Sequence, residues 1–192
     1  MTHTLADLRA GRLMGVRRLD LVGSLRAFPR EIFDLADTLE VLNLSGHALD
    51  TLPDDLHRLH RLRVLFCSYN RFTQLPAALA ACEQLETIGF RANALHTVDP
   101  AVLPPHLRAL VLTDNRITTL LPGWARFARL QKLMLTGNAL QDLPDDLAAC
   151  ERLELLRIAA NRFEHLPAWL PSLPALAWLA CAGNPATDTA EA

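Results

Sequence analysis

The feature that most constrains this chain is a spacing. An aliphatic residue recurs at Val16, Leu39, Leu62, Leu85, Leu107, Leu130, Leu153 and Leu176, and six of the seven steps are 23 residues. The step from Leu85 to Leu107 is 22. Two phrases, LNLSGHALDTLPDDL at 42–56 and LMLTGNALQDLPDDL at 133–147, nearly repeat one another 91 residues apart, the sum of four such steps. A unit this short cannot bury its own leucines, so the units must stack on one another to make a continuous core. The echo is a property of the scaffold.

Within each unit the fourth position reads Leu19, Leu42, Leu65, Ile88, Leu110, Leu133, Leu156 and Leu179, and the sixth reads Leu21, Leu44, Cys67, Phe90, Leu112, Leu135, Ile158 and Cys181. Apolar residues at alternate positions mark a short strand with one buried face. The ninth position holds Asn70, Asn93, Asn115, Asn138, Asn161 and Asn184. A side-chain amide both donates and accepts, so a stack of them can satisfy the backbone where each coil turns. His47 interrupts that row and the first unit is short by a residue near Ser24, so those two turns are expected to be looser. After the turn come LPDDLHRLHR, LPAALAACEQ, LPDDLAACER and LPAWLPSLPA. Proline suits the first position of a short helix and Asp its positive end, which predicts one or two helical or 3-10 turns on the outer side.

These residues resemble the leucine-rich repeat, of the class with a Leu-Pro pair after the Asn turn, from Val16 to about Pro185. The resemblance implies an α/β fold: a curved solenoid with a parallel β-sheet on its concave face and short helical or 3-10 turns on its convex face. The expected organisation is an N-terminal capping helix over residues 1–15, a solenoid of about eight coils over 16–183, and a short polar tail over 184–192. The phrases REIFDLADTLEVLNLSG, LRVLFCS and LRIAANR are also similar to the leucine-rich module that precedes a kinase domain in some bacterial proteins. That likeness implies a regulatory or sensory module beside a protein kinase. The H-R-D and D-F-G phrases of a kinase itself are missing from the chain.

Composition narrows the function class. With 51% apolar residues in 192, the chain can build one substantial core. A formal net charge of −2 argues against a dedicated binder of nucleic acid or of an acidic membrane surface. The opening MTHTLADLRAGRLMG carries Asp7, Arg9 and Arg12 where a signal peptide needs an apolar run. The uncharged span Leu166–Gly183 contains Pro167, Pro171 and Pro174, each costing about 3 kcal/mol inside a helix. A cytoplasmic protein is expected. Cys67 and Cys181 fall at the buried sixth position, while Cys82 and Cys150 share a later one, so all four are expected as core thiols in a reducing compartment.

The segment DDLHRLH at 54–60 offers the best metal or acid–base candidate, since His57 and His60 are three apart and follow Asp54 and Asp55. Asp145 and Asp146 recur at the equivalent place without the histidines, which assigns the Asp pair to the start of the outer segment. A metal-dependent enzyme is therefore the weakest alternative. No G-x-S-x-G, H-E-x-x-H, G-x-G-x-x-G or G-x-x-x-x-G-K-[ST] motif is present. A non-catalytic role without cofactor is expected.

The informative positions are the strand residues that face away from the core. The third reads Arg18, Val41, Val64, Thr87, Ala109, Lys132, Leu155 and Trp178; the fifth reads Asp20, Asn43, Phe66, Gly89, Val111, Met134, Arg157 and Ala180. The second alternates Arg17, Glu40, Arg63, Glu86, Arg108, Gln131, Glu154 and Ala177, and the seventh and eighth add Tyr69, Arg91 and Asp114. Nothing in strand packing calls for Phe66, Tyr69, Val111 and Met134 on a solvent face, and an apolar patch ringed by arginine marks a protein-binding surface. The candidate partner-binding residues are thus Arg63, Phe66, Tyr69, Arg91, Arg108, Val111, Met134 and Arg157. Basic residues outnumber acidic ones at these positions, so a protein or peptide with some acidic character is the expected partner. The last unit ends soon after its strand LAWLAC, which leads to the expectation of a weak homodimer through the C-terminal coil.

Overall fold

The computed structural model describes residues 2–188. Each coil contributes one short strand, because only about three residues per unit lie between the leucine that opens it and the turn that closes it. In chain order the strands are β1 (His3–Thr4), β2 (Arg18–Val22), β3 (Val41–Asn43), β4 (Val64–Phe66), β5 (Thr87–Gly89), β6 (Thr97–Val98), β7 (Ala109–Val111), β8 (Thr119–Leu120), β9 (Lys132–Met134), β10 (Leu155–Arg157) and β11 (Trp178–Ala180). Nine of them form one parallel sheet in the order β1–β2–β3–β4–β5–β7–β9–β10–β11. The register follows the repeat: Arg18 lies beside Val41, Val41 beside Val64, Val64 beside Thr87, and Leu155 beside Trp178. Across the shorter step Thr87 still pairs with Ala109. The residue missing there lies between Leu95 and Leu107, in the outer arc, where a shorter path does not disturb the sheet.

One face of the sheet is sealed from β2 to β10. Leu19, Leu42, Leu65, Ile88, Leu110, Leu133 and Leu156 are 0% exposed, as are Leu44, Cys67, Phe90, Leu112, Leu135 and Ile158. Burying one such side chain stabilises the fold by roughly 1.5–3 kcal/mol. Larger rings fill the wider interior behind the turns, where Phe72 meets Phe90 edge-on at 4.9 Å and the fully buried Trp124 donates its indole N–H to the Leu121 carbonyl at 2.8 Å.

The asparagine row is the polar spine. Asn115 donates through Nδ2 to the carbonyls of Phe90 (2.9 Å) and Leu112 (3.0 Å), while its Oδ1 accepts from the Leu95 N–H (3.1 Å). Asn70, Asn93, Asn138, Asn161 and Asn184 repeat this pattern, each tying its own turn to the preceding coil. His47 keeps part of it: Nδ1 lies 2.9 Å from the Gly23 carbonyl oxygen, but Nε2 is buried without a partner. That turn makes fewer bonds, as expected for it.

The convex side carries 3-10 segments at Arg30–Leu35, Leu56–Arg58, Ala77–Ala81, Pro100–Val102, Trp124–Arg126, Asp145–Ala149 and Leu170–Ser172. Proline enters one residue earlier than predicted. Pro29, Pro76 and Pro144 are extended and precede the first helical residue, each accepting at 3.1 Å from the N–H three residues on. The second Asp of each Asp pair also departs from expectation, because it reaches back to the preceding coil. Asp146 accepts from the N–H groups of Gly123 (2.6 Å) and Trp124 (2.7 Å), and Asp55 forms a bidentate pair with Arg30 at 2.7 Å. Two adjacent coils replace the opening of the arc by strand: β6 and β8 pair in parallel as a small outer sheet. Their Thr97, Val98 and Thr119 are β-branched, which favours extended backbone.

At the N-terminal edge the helix is shorter than the predicted 1–15. Helix α1 spans Leu5–Arg9, is capped by the Thr4 hydroxyl, and buries Leu8 to 5% exposure. The residues before it form β1, which pairs with β2, so the first coil's edge is covered. At the other edge Asn184 is fully buried and a single turn, α2 (Pro185–Asp188), follows it. Residues 189–192 of the expected polar tail lie outside the described residues. No described helix is long and apolar enough to cross a membrane.

Candidate functional site

The concave face is the set of strand side chains opposite the sealed core. Its register brings the third and fifth positions into two rows across the sheet. Val41, Val64, Thr87, Ala109 and Leu155 form one row and are half-buried; Phe66, Val111 and Met134 are half-buried in the other. Phe66 lies over Gly89 on the neighbouring strand, and a Cβ at Gly89 would sit 2.7 Å from the ring's Cδ1. The missing side chain leaves the notch that the Cδ1 edge of the ring fills. Trp178, 60% exposed, ends the row on β11.

The eighth position of each unit has a left-handed backbone. Gly46, Gly137 and Gly183 occupy it at φ of 79°, 70° and 71°, but Tyr69, Ala92, Asp114 and Ala160 hold the same conformation at 54°, 52°, 56° and 51°. A residue with a Cβ in this region costs roughly 1–2 kcal/mol. The turn therefore forces Tyr69 onto the rim of the concave face, where it is 56% exposed with the Arg91 guanidinium 5.8 Å from its ring centre. Glycine at the eighth position of the units that hold Gly46, Gly137 and Gly183 is the sequence signal for this turn.

The eight predicted site residues share this one face, but the arginines are not alike. Arg63 pairs with Glu86 at 2.8 Å, and Arg91 with Asp114 at 2.9 Å. Arg108 donates to Gln131 at 3.1 Å and lies 3.8 Å from Glu86, while Gln131 in turn donates to Glu154 at 3.0 Å. With Arg17 and Glu40 at 3.7 Å, the residues Arg63, Glu86, Arg108, Gln131 and Glu154 form a polar ladder along the second position. Arg18 binds Asp20, which also accepts from Asn43, and the Arg18 hydrogen bond holds the Asp20 carboxyl below its ordinary range. Arg157 has no ion pair or side-chain hydrogen bond among the described residues, and neither does Lys132, a cation outside the eight predicted residues.

The histidine segment is not assembled as a metal centre. His57 and His60 are exposed on the convex side, His60 Nε2 lies 3.6 Å from Asp37, and Asp55 is engaged by Arg30 and Arg58. Among the described residues no group of three or more His, Cys, Asp and Glu side chains is gathered to hold a metal. Cys67, Cys82 and Cys150 are buried free thiols, and Cys181 is half-buried. Burial pushes Cys82 and Cys150 up to about 11 and raises Cys67 as well, so these sulfurs stay protonated and act as packing atoms.

A parallel sheet with one strand per coil, an Asn-bonded turn and a 3-10 outer arc defines the class of the molecule as a leucine-rich-repeat solenoid. Known proteins agree. A leucine-rich-repeat protein of Leptospira interrogans superposes with a TM-score of 0.86 at 28% identity, over 95% of this chain and 47% of that one. The leucine-rich-repeat ectodomain of the Arabidopsis thaliana membrane receptor kinase GASSHO1/SCHENGEN3, solved in complex with Casparian strip integrity factor 2, gives a TM-score of 0.73 at 29% identity, over 95% of this chain and 23% of that one. In sequence, the leucine-rich repeat-containing G-protein coupled receptor 5 of Rattus norvegicus is 34% identical over 88 residues, 44% of this chain and 10% of the receptor. The chain thus spans about half of the Leptospira structure and a tenth of the rat receptor. No protein-family profile matches it. By fold and by repeat, the chain is a leucine-rich-repeat protein.

Proposed function

We propose that this chain is a non-catalytic module that binds a protein or peptide on the concave face of its sheet. The observation that carries the reading is the half-buried apolar row from Val64 and Phe66 through Val111 and Met134 to Leu155, which lies on the face of the sheet opposite the sealed core and is flanked by the exposed Tyr69 and Trp178. Apolar side chains on a sheet face gain nothing from water, so a surface of this kind is stabilised by a partner. From β4 to β11 the row crosses five inter-strand gaps, roughly 24 Å at the usual strand spacing, which suits an extended segment of about seven residues. Four unbonded thiols suit a reducing, cytoplasmic setting.

The test is a pull-down followed by titration of the recovered partner. Met134→Asp places a charge in the middle of the row and should weaken binding at least 30-fold, the equivalent of losing a contact worth about 2 kcal/mol. Arg58→Glu, on the convex side, should leave affinity unchanged. Equal losses from both variants would remove the concave face as the site.

A second reading applies to the C-terminal coil. Leu179 is 38% exposed, whereas its counterparts Leu133 and Leu156 are 0%, and Trp178 stands beside it. We infer weak self-association of this chain through that edge. Light scattering across concentration should show a dimer that Leu179→Asp abolishes; a wild type that stays monomeric to about millimolar protein, the limit of weak association, rules it out.

A further inference from the structure

The concave face carries seven cationic side chains, Arg17, Arg18, Arg63, Arg91, Arg108, Lys132 and Arg157. Five have an acceptor on the sheet: Glu40, Asp20, Glu86, Asp114 and Gln131 respectively. Lys132 and Arg157 are exposed and have none among the described residues. Acids do stand on the neighbouring strands, but Glu154 accepts from Gln131 at 3.0 Å and Asp114 is held by Arg91 at 2.9 Å.

The two free cations are also close together. Lys132 pairs in register with Leu155, and Arg157 is two residues further along the same strand, beside Met134. One strand spacing across and two residues along separate their Cα atoms by roughly 8 Å. Both side chains leave the same face and are long enough to converge on one anion, and their mutual repulsion is relieved when one binds. Around them stand Val111, Met134, Leu155 and Trp178, so the seat has an apolar floor and rim.

We infer that Lys132 and Arg157 form an anion seat on the C-terminal half of the concave sheet, and that its occupant is a protein segment presenting a carboxylate beside large apolar side chains. This rests on the concave-face reading and adds where the partner's acid sits. A bare oxyanion would leave the apolar surround in water, and a wholly apolar segment would bury two cations with nothing to offset their desolvation. Only a mixed segment satisfies both parts.

The probe is a displayed library of random dodecapeptides panned on the full chain, with selected peptides resynthesised and titrated. Enriched sequences should carry Asp or Glu within two residues of Trp, Phe, Leu or Met. Lys132→Glu/Arg157→Glu should weaken them at least tenfold, Lys132→Arg/Arg157→Lys no more than about threefold, and raised salt should weaken wild-type binding toward that of the charge-reversed protein. Selected peptides that lose affinity with Met134→Asp but not with the charge reversal overturn the seat and leave the concave face standing. Peptides indifferent to both variants overturn both. Full displacement of the peptide by an equal concentration of inorganic phosphate, or a panning that enriches no binder, also overturns the inference.

Discussion

The two halves of the concave sheet share a backbone and differ in how their charges are spent. From β2 to β5 nearly every charged side chain has a partner on the sheet: Arg18 with Asp20, Arg63 with Glu86, and Arg91 with Asp114. From β9 to β11 Lys132 and Arg157 have no acid partner among the described residues, and the apolar Met134 and Leu155 stand between them. A partner's carboxylate arriving over Arg63 must displace Glu86, and exchanging one exposed ion pair for another gains little, since such pairs are worth about 0–1 kcal/mol. Over β9 and β10 it displaces only water. The difference separates a half whose charges are paired within the sheet from one whose cations have no acid partner among the described residues.

Two substitutions probe that difference from opposite sides. Gly89→Ala puts a methyl where the Phe66 ring lies, 2.7 Å from Cδ1, so the ring must lift. That breaks the apolar row at the one point where it enters the self-paired half, and it should weaken the partner about tenfold, the scale of one displaced aromatic contact, while a thermal melt shows a loss near 1 kcal/mol. Unchanged affinity would confine the site to β7–β11. Arg63→Ala removes a cation that Glu86 already neutralises, and titration should show a change of no more than about threefold, within the range of a surface ion pair. A loss as large as that from Gly89→Ala would mean that the paired half binds the partner's acid after all.

How far the sequence could be read depends on which interaction sets each feature. The coil and its sheet were legible because burial is strictly periodic: Leu110 and Leu133 are sealed for the same reason one step apart, and the Asn row repeats with them. Features set by a few local residues were not. Strand β1 rests on two residues, His3 and Thr4, that carry no apolar alternation, and β6 and β8 rest on Thr97, Val98 and Thr119, which favour extended backbone at the opening of the outer arc. At the site the columns were legible, because register follows from period. What each arginine binds was only half so, because the alternation Arg17, Glu40, Arg63, Glu86, Arg108 along the second position announces a ladder whose partners depend on side-chain rotamers. Lys132 is not distinguished in the sequence for the same reason, since a cation's availability is decided by the acids that do not reach it.

The most direct measurement places a photo-crosslinker on each side of the solenoid. Met134→p-benzoylphenylalanine puts the probe in the centre of the concave row, and Arg126→p-benzoylphenylalanine puts it on an exposed convex 3-10 segment. With a bound partner or selected peptide, irradiation should join it to position 134 and leave position 126 unlinked. A partner captured at 126 and not at 134, by variants that bind it as tightly as the native chain, would contradict binding on the concave sheet.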